Sequence, residues 1–177
     1  MVARSTLLSL LLTFVLSASS AAAQSVSTPQ ELMPTVEELP AGFEPQPDRD
    51  VDIVGSSWSD SYRAFARPDE DAETLGLRIS VYETQVGAQD WLQFSLWSLE
   101  RQGYATSGTA ELGEEAYGLR AAAADGTVTT GVLFRVGNAV GWATSHASTE
   151  EAAVDTALYA AQLLEDRLAN VVASLSD

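Results

Sequence analysis

The chain reads as an α+β protein: an antiparallel sheet of about five strands with two main helices packed on one face, in the order β-β-α-β-β-β-α. Three observations predict this. Several segments alternate apolar and polar residues with period two. Gly137-Asn138 stands between two such segments as a hairpin turn. Two other segments repeat their apolar residues at helical spacing instead. Strands joined mainly by hairpins, with helices to cover a face, give α+β and not a doubly wound fold.

The first element is not part of that fold. A short basic start ending at Arg4 precedes an apolar run from Leu7 to Leu16, and Ala21-Ala22-Ala23 stands before Gln24. This is the pattern of a secretory signal peptide over residues 1–23. The expected protein is exported and trimmed to begin at about Gln24. The apolar run is too short to span a bilayer, which takes roughly 20 residues. Residues 24–50 form a proline-rich N-terminal arm or linker holding Pro29, Pro34, Pro40, Pro45 and Pro47, each of which lacks a backbone donor. Inside it, Thr35-Val-Glu-Glu38 reads as a capping box for a short helix.

Residues 51–177 are expected to form a single α+β domain. Trp58 to Arg67 alternates as a strand, with Tyr62, Ala64 and Ala66 on one side and Arg63, Phe65 and Arg67 on the other. Pro68 to Asp71 is a polar turn. Leu75 to Tyr82 is a half-buried strand, and the two form an antiparallel hairpin. Ala88 to Gln102 is helical in spacing and apolar over much of its circumference, and Gly103 stands where a helix-ending glycine belongs. Such a helix is clamped between layers or leaves a sticky side. Glu115 to Ala124 is a third strand, ended by Asp125-Gly126. Thr127–Val136 and Ala139–Ala147 make the best-marked hairpin. Ser148-Thr-Glu-Glu151 reads as a second capping box, opening a C-terminal helix through Val154, Ala157, Leu158, Ala161, Leu164 and Leu168.

Composition narrows the function. The formal charge of −16 argues against nucleic acid, anionic lipid and polybasic tail functions, which need a positive footprint. All nine basic residues are arginines, planar forks suited to carboxylate or phosphate contacts. The chain has no cysteine, so it carries no disulfide framework, thiol nucleophile, Cys-ligated zinc or lipid-modified N-terminal Cys. No stable membrane anchor is expected after cleavage, and an ordinary core must hold the domain together.

Catalytic and metal signatures are thin. His146 is the only histidine, and its strand neighbour Ser145 points to the opposite face, so the two cannot pair directly. Asp48-Arg-Asp50-Val-Asp52 imitates the start of a calcium loop, but Ile53 and Ser59 stand where glycine and glutamate are needed. No metal, cofactor or catalytic residue is therefore assigned.

The turn fixes a register. With Gly137 and Asn138 as the loop, Val136 pairs with Ala139, Phe134 with Gly141 and Val132 with Ala143, a large-against-small face suited to the alanine-rich C-terminal helix. The opposite face pairs Leu133 with Trp142 and Arg135 with Val140, with Arg135 diagonal to Trp142. Placing Arg63, Arg67, Arg78 and Arg120 at non-core positions too puts five arginines on one face. Arg63, Arg78, Tyr82, Arg135 and Trp142 are the candidate ligand-binding residues, a platform for a small anionic ligand or an acidic protein partner. The competing reading is a solvated surface whose forks already pair with neighbouring carboxylates.

Leu39-Pro-Ala-Gly-Phe43, Tyr62-Arg-Ala-Phe65, Leu112-Gly-Glu-Glu-Ala116 and Phe134-Arg-Val-Gly-Asn138 follow one another in the order found in small exported domains of GC-rich bacteria. Over residues 36–170 the chain resembles those secreted single-domain proteins. It is distantly similar to extracellular sensor-type domains of actinobacterial receptor kinases and lipoproteins. The resemblance implies a secreted, non-enzymatic binding or sensing module, and it carries over no catalytic residue. Neither the cysteines of the receptor-kinase domains nor the lipoprotein anchor is present. A carrier of an apolar ligand such as lipid is the alternative, motivated by the Ala88–Gln102 helix. A secreted hydrolase using scattered carboxylates comes third.

Overall fold

The computed structural model describes residues 28–68, 73–108 and 110–174. The expected signal segment and most of the Pro68–Asp71 turn lie outside the described residues. The strands are β1 (Glu44–Pro45), β2 (Val51–Val54), β3 (Trp58–Ala66), β4 (Thr74–Tyr82), β5 (Ala105–Gly108), β6 (Glu115–Ala122), β7 (Val128–Val136) and β8 (Ala139–Ala147). The helices are α1 (Gln85–Arg101) and α2 (Glu150–Ser174). The strands form one antiparallel sheet in the order β1-β3-β4-β8-β7-β6-β5, and β2 also pairs with β3.

The α+β class and the antiparallel sheet stand as expected, while the strand count rises from five to eight. The three added strands are two to four residues long and lie on the sheet's margins. Segments that short carry no readable period. The β7–β8 register is the one the turn predicts: Val136 faces Ala139, Phe134 faces Gly141 and Val132 faces Ala143. Gly137 takes φ of +56°, a left-handed conformation that disfavours any residue with a Cβ.

The expectation that both helices share one face is overturned. Alternation along β7 sends Val132, Phe134 and Val136 into a core with Ala160, Ala161, Leu164 and Leu168 of α2. It sends Leu133 into a second core with Ala88, Leu92 and Leu96 of α1, joined by Leu119 and Val140. The helices therefore sandwich the sheet. The central strands are apolar enough on both sides to need two covers: Val140 is as buried as Ala139 beside it, and Leu133 as Val132.

Helix boundaries also shift. Thr84 caps α1, its hydroxyl accepting from the Gly87 N–H at 3.0 Å, so the helix starts three residues before the expected Ala88. Thr149 caps α2 in place of Ser148, accepting from the Ala152 N–H at 3.3 Å. Among the described residues, no helix is long and apolar enough to cross a membrane.

The proline-rich arm wraps onto the α2 face. Leu32, Met33, Leu39 and Phe43 are buried in the α2-side core. Two short 3-10 turns, Pro29–Leu32 and Val36–Glu38, carry capping boxes in which Glu31 and Glu38 accept from the Thr28 and Thr35 N–H groups at 3.1 and 2.8 Å. Arg167 of α2 holds the arm by donating to the Met33 carbonyl at 2.9 Å and the Leu32 carbonyl at 3.3 Å, and it grips the Glu38 carboxylate. Arg67 fixes the arm's far end, donating to the Ala41 carbonyl at 3.1 Å with its guanidinium 4.6 Å over the Phe43 ring.

The Thr35 backbone N–H foremost, with Arg167, holds the Glu38 carboxyl below its usual value. A depressed carboxylate stabilises the fold above its ordinary pKa and loses that contribution as pH falls through the lowered value. Arg167→Gln should therefore speed amide exchange across residues 29–39 while β7 and β8 stay protected. Acidification of the wild type should reproduce the effect; exchange confined to global unfolding in both cases would contradict it.

Candidate functional site

Cross-strand register decides which arginines meet. Tyr62 pairs with Arg78, and Arg78 pairs in turn with Trp142 across β4–β8. Arg78, Tyr82, Trp142 and Arg135 therefore lie on the α1 face. Arg63 pairs with Leu77, an α2-face residue, and so lies on the opposite side of the sheet. Arg120 also lies on the α2 side, donating to Glu150 at the start of α2 at 2.9 Å. The expectation that five arginines share one face is thus corrected. It rested on reading β3 as having one core side and one solvent side. In fact Ala64 and Phe65, adjacent and on opposite faces, are both buried.

The three candidate arginines already hold carboxylates. Arg63 makes a bidentate pair with Asp52 at 2.9 and 3.0 Å, with Asp50 at 3.6 Å. The calcium-like Asp48–Asp52 run thus spends two of its carboxylates on one guanidinium. Arg135 turns away from Trp142 to the hairpin, donating to the Gly137 carbonyl at 3.0 Å and pairing with Glu114 at 2.5 Å. Arg78 donates through Nε to both oxygens of Asp60, at 2.8 and 3.0 Å. Its guanidinium lies 5.4 Å over the Trp91 ring, a cation–π contact.

Arg78 and Trp142 are brought together in a cleft between α1 and the sheet, with a volume of about 160 Å³, and Tyr82 lies beside it against Trp91. From the sheet come Arg78, Ser80, Leu133, Val140 and Trp142. From the helix come Trp91, Phe94, Ser95, Ser98, Leu99 and Gln102. The cleft exists because α1 docks only through a narrow seam. Ala88, Leu92 and Leu96 recur every four residues and are buried, while the flanking Trp91, Ser95 and Leu99 are only half-buried at the edge of the seam. Aromatic rings continue outward from Tyr82 to Trp91, Phe94 and Trp97 with centroids 6.3, 5.5 and 5.8 Å apart. Phe94 and Trp97 are each 52% exposed.

Desolvation pushes the Tyr82 phenol up to about 12. Tyr82 is neutral at physiological pH, and beside the cleft it contributes a ring packed on Trp91. The cleft-lining residues of α1 were missed as site residues in the sequence, although the excess apolar character of that helix was their signal. His146 sits outside the cleft, its Nδ1 3.0 Å from the Thr129 hydroxyl, and Ser145 donates to buried Glu73 at 2.9 Å on the other face. Among the described residues, no group of three or more His, Asp or Glu is placed to hold a metal ion.

The Trp142 wall depends on a glycine across the strand pair. A methyl at Gly131 would lie 2.3 Å from a Trp142 ring carbon, so the indole rests directly on bare backbone. Gly131→Ala should push the Trp142 ring off its seat into the cleft, shift its near-ultraviolet signal and cost about 1–3 kcal/mol. An unchanged aromatic spectrum would show that the wall does not depend on that contact.

No protein-family model matches the chain, and no curated protein matches it in sequence. Two solved structures are similar. One is the extracellular domain of PknH from Mycobacterium tuberculosis, 10% identical, covering 78% of this chain and 93% of that one with a TM-score of 0.58. The other is LpqN of the same organism, involved in cell envelope biogenesis, 18% identical over 70% of this chain and 87% of that one with a TM-score of 0.32. The first likeness is one of fold: this chain shares the architecture of a mycobacterial receptor kinase's extracellular domain, in line with the resemblance its sequence carries.

Proposed function

We propose that the protein is a secreted, non-enzymatic binding or sensing module that takes its ligand in the cleft between α1 and the sheet. The observation that carries this reading is a preformed concavity lined by Trp91, Phe94, Leu99, Leu133, Val140 and Trp142, with a few polar groups set among them. Apolar walls with sparse, fixed polar groups are the usual composition of a small-molecule site. The N-terminal segment supplies the address, and the fold shared with an extracellular domain fits the same compartment. The lone histidine is engaged with a threonine on a strand, away from the cleft, which supports binding over catalysis.

Size separates this reading from the carrier alternative. About 160 Å³ is below the roughly 300–1,000 Å³ of sites that engulf a drug-sized molecule. It matches the scale of a cavity of about 150 Å³ that admits benzene. The cleft thus holds one ring or a short chain, not a whole lipid.

Ethylbenzene is a probe of that size. Titrated into the mature protein, it should shift the indole N–H resonances of Trp91 and Trp142 saturably and leave Trp58 unmoved. Ser95→Phe, which fills the cleft from the helix side, should abolish those shifts while the thermal midpoint is retained. Binding that survives in a folded Ser95→Phe variant would place the ligand elsewhere.

A further inference from the structure

Resting on the reading of the cleft as a ligand site, we propose that it selects a neutral ligand bearing an acceptor oxygen (a carbonyl, ether or hydroxyl on a compact apolar body) and that Asp60 is the positioning residue behind this selectivity. Asp60 stands on β3 beneath the cleft and is 3% exposed. Its Oδ1 accepts from the Ser80 hydroxyl at 2.6 Å and from Arg78 Nε at 2.8 Å, and its Oδ2 accepts from the same Nε at 3.0 Å. A buried carboxylate needs a compensating cation, and Arg78 is that cation.

The geometry of the pair determines what is left for a ligand. Guanidinium offers five donors in a rigid fork, and Asp60 engages only the one on Nε. Among the described residues, neither Nη atom of Arg78 has a hydrogen-bond partner, and the side chain lines the cleft. The neighbouring polar groups do not fill the gap. The Ser80 hydroxyl donates to Asp60, and the Gln102 amide donates to the Ser98 carbonyl and hydroxyl at 3.2 Å each. The cleft therefore offers donors that lack an acceptor.

Charge then decides between acceptors. Arg78 and Asp60 sum to zero, so a ligand carboxylate would bring an unbalanced negative charge into a partly enclosed site. It would do so in a protein already at −16. A neutral oxygen accepts from the same Nη donors without that cost. The sequence pattern of arginines suggested an anionic ligand; the buried partner of Arg78 reverses the preference.

Three probes of one size test this: acetophenone, benzoate and ethylbenzene, each titrated against the Trp91 and Trp142 indole resonances. Acetophenone should bind about ten-fold more tightly than ethylbenzene, the worth of a hydrogen bond from a charged donor. It should exceed benzoate by at least as much. Asp60→Asn leaves Arg78 uncompensated, so in that variant benzoate should overtake acetophenone. Arg78→Lys keeps a cation for Asp60 but removes the fork, and should reduce acetophenone to the affinity of ethylbenzene even if Asp60→Asn fails to fold. Benzoate binding the wild type as tightly as acetophenone would overturn the proposal, as would acetophenone binding no better than ethylbenzene; in either case the cleft remains a binding site. Silence of both indoles to all three probes would remove the site itself.

Discussion

The β7–β8 register is the constraint on which the rest of the molecule depends. One left-handed glycine in a two-residue turn sets Phe134 opposite Gly141 and Leu133 opposite Trp142. Because side chains alternate with period two, that choice settles both faces at once. A slip of one residue would carry Phe134 to α1 and Leu133 to α2, and neither helix has the complementary surface. A Cβ at Gly141 would lie 2.3 Å from the Phe134 ring, which shows how closely the large and small partners are matched.

The two faces are finished differently. On the α2 side, small residues of the helix (Ala153, Ala157, Ala160 and Ala161) let it approach the sheet, and the N-terminal arm closes the remaining margin. On the α1 side, bulky Trp91 and Trp142 hold helix and sheet apart around a narrow seam, and the cleft is the space between them. Arginines serve this architecture as cross-element ties: Arg63 joins β3 to β2, Arg167 joins α2 to the arm, and Arg120 joins β6 to α2. Most of these ties are partly exposed and individually weak. Arg78, like Arg67 with Glu73, pairs with a buried carboxylate, so its orientation is fixed from below while its outer donors stay open.

Much of this was legible in the residues. The Gly137-Asn138 turn, the strict alternation of Leu75 to Val81 and the helical spacing from Val154 to Leu168 each carry a local signal strong enough to stand without tertiary context. The capping box at Thr35 was equally readable. The margins were not: β1 and β5 are too short for any period, and β2 is fully exposed. The face of Arg63 was lost because both sides of β3 are covered, with Ala64 and Phe65 buried on opposite faces. The cleft was only half visible. Trp142 and Arg78 were singled out from the sheet, but their partners on α1 lie far away in sequence, and only docking of the helix brings them together.

The central claim is that one sheet carries a closed core on one side and a looser, ligand-accessible layer on the other. Native-state hydrogen exchange tests it most directly, because it reads the opening free energy of each element separately. Amides of α1, residues 85–101, should exchange through local opening about a hundred-fold faster than those of α2, β7 and β8. Ethylbenzene should slow α1 selectively. If α1 and α2 instead exchange together, only on global unfolding, the two layers are equally closed and the account is contradicted.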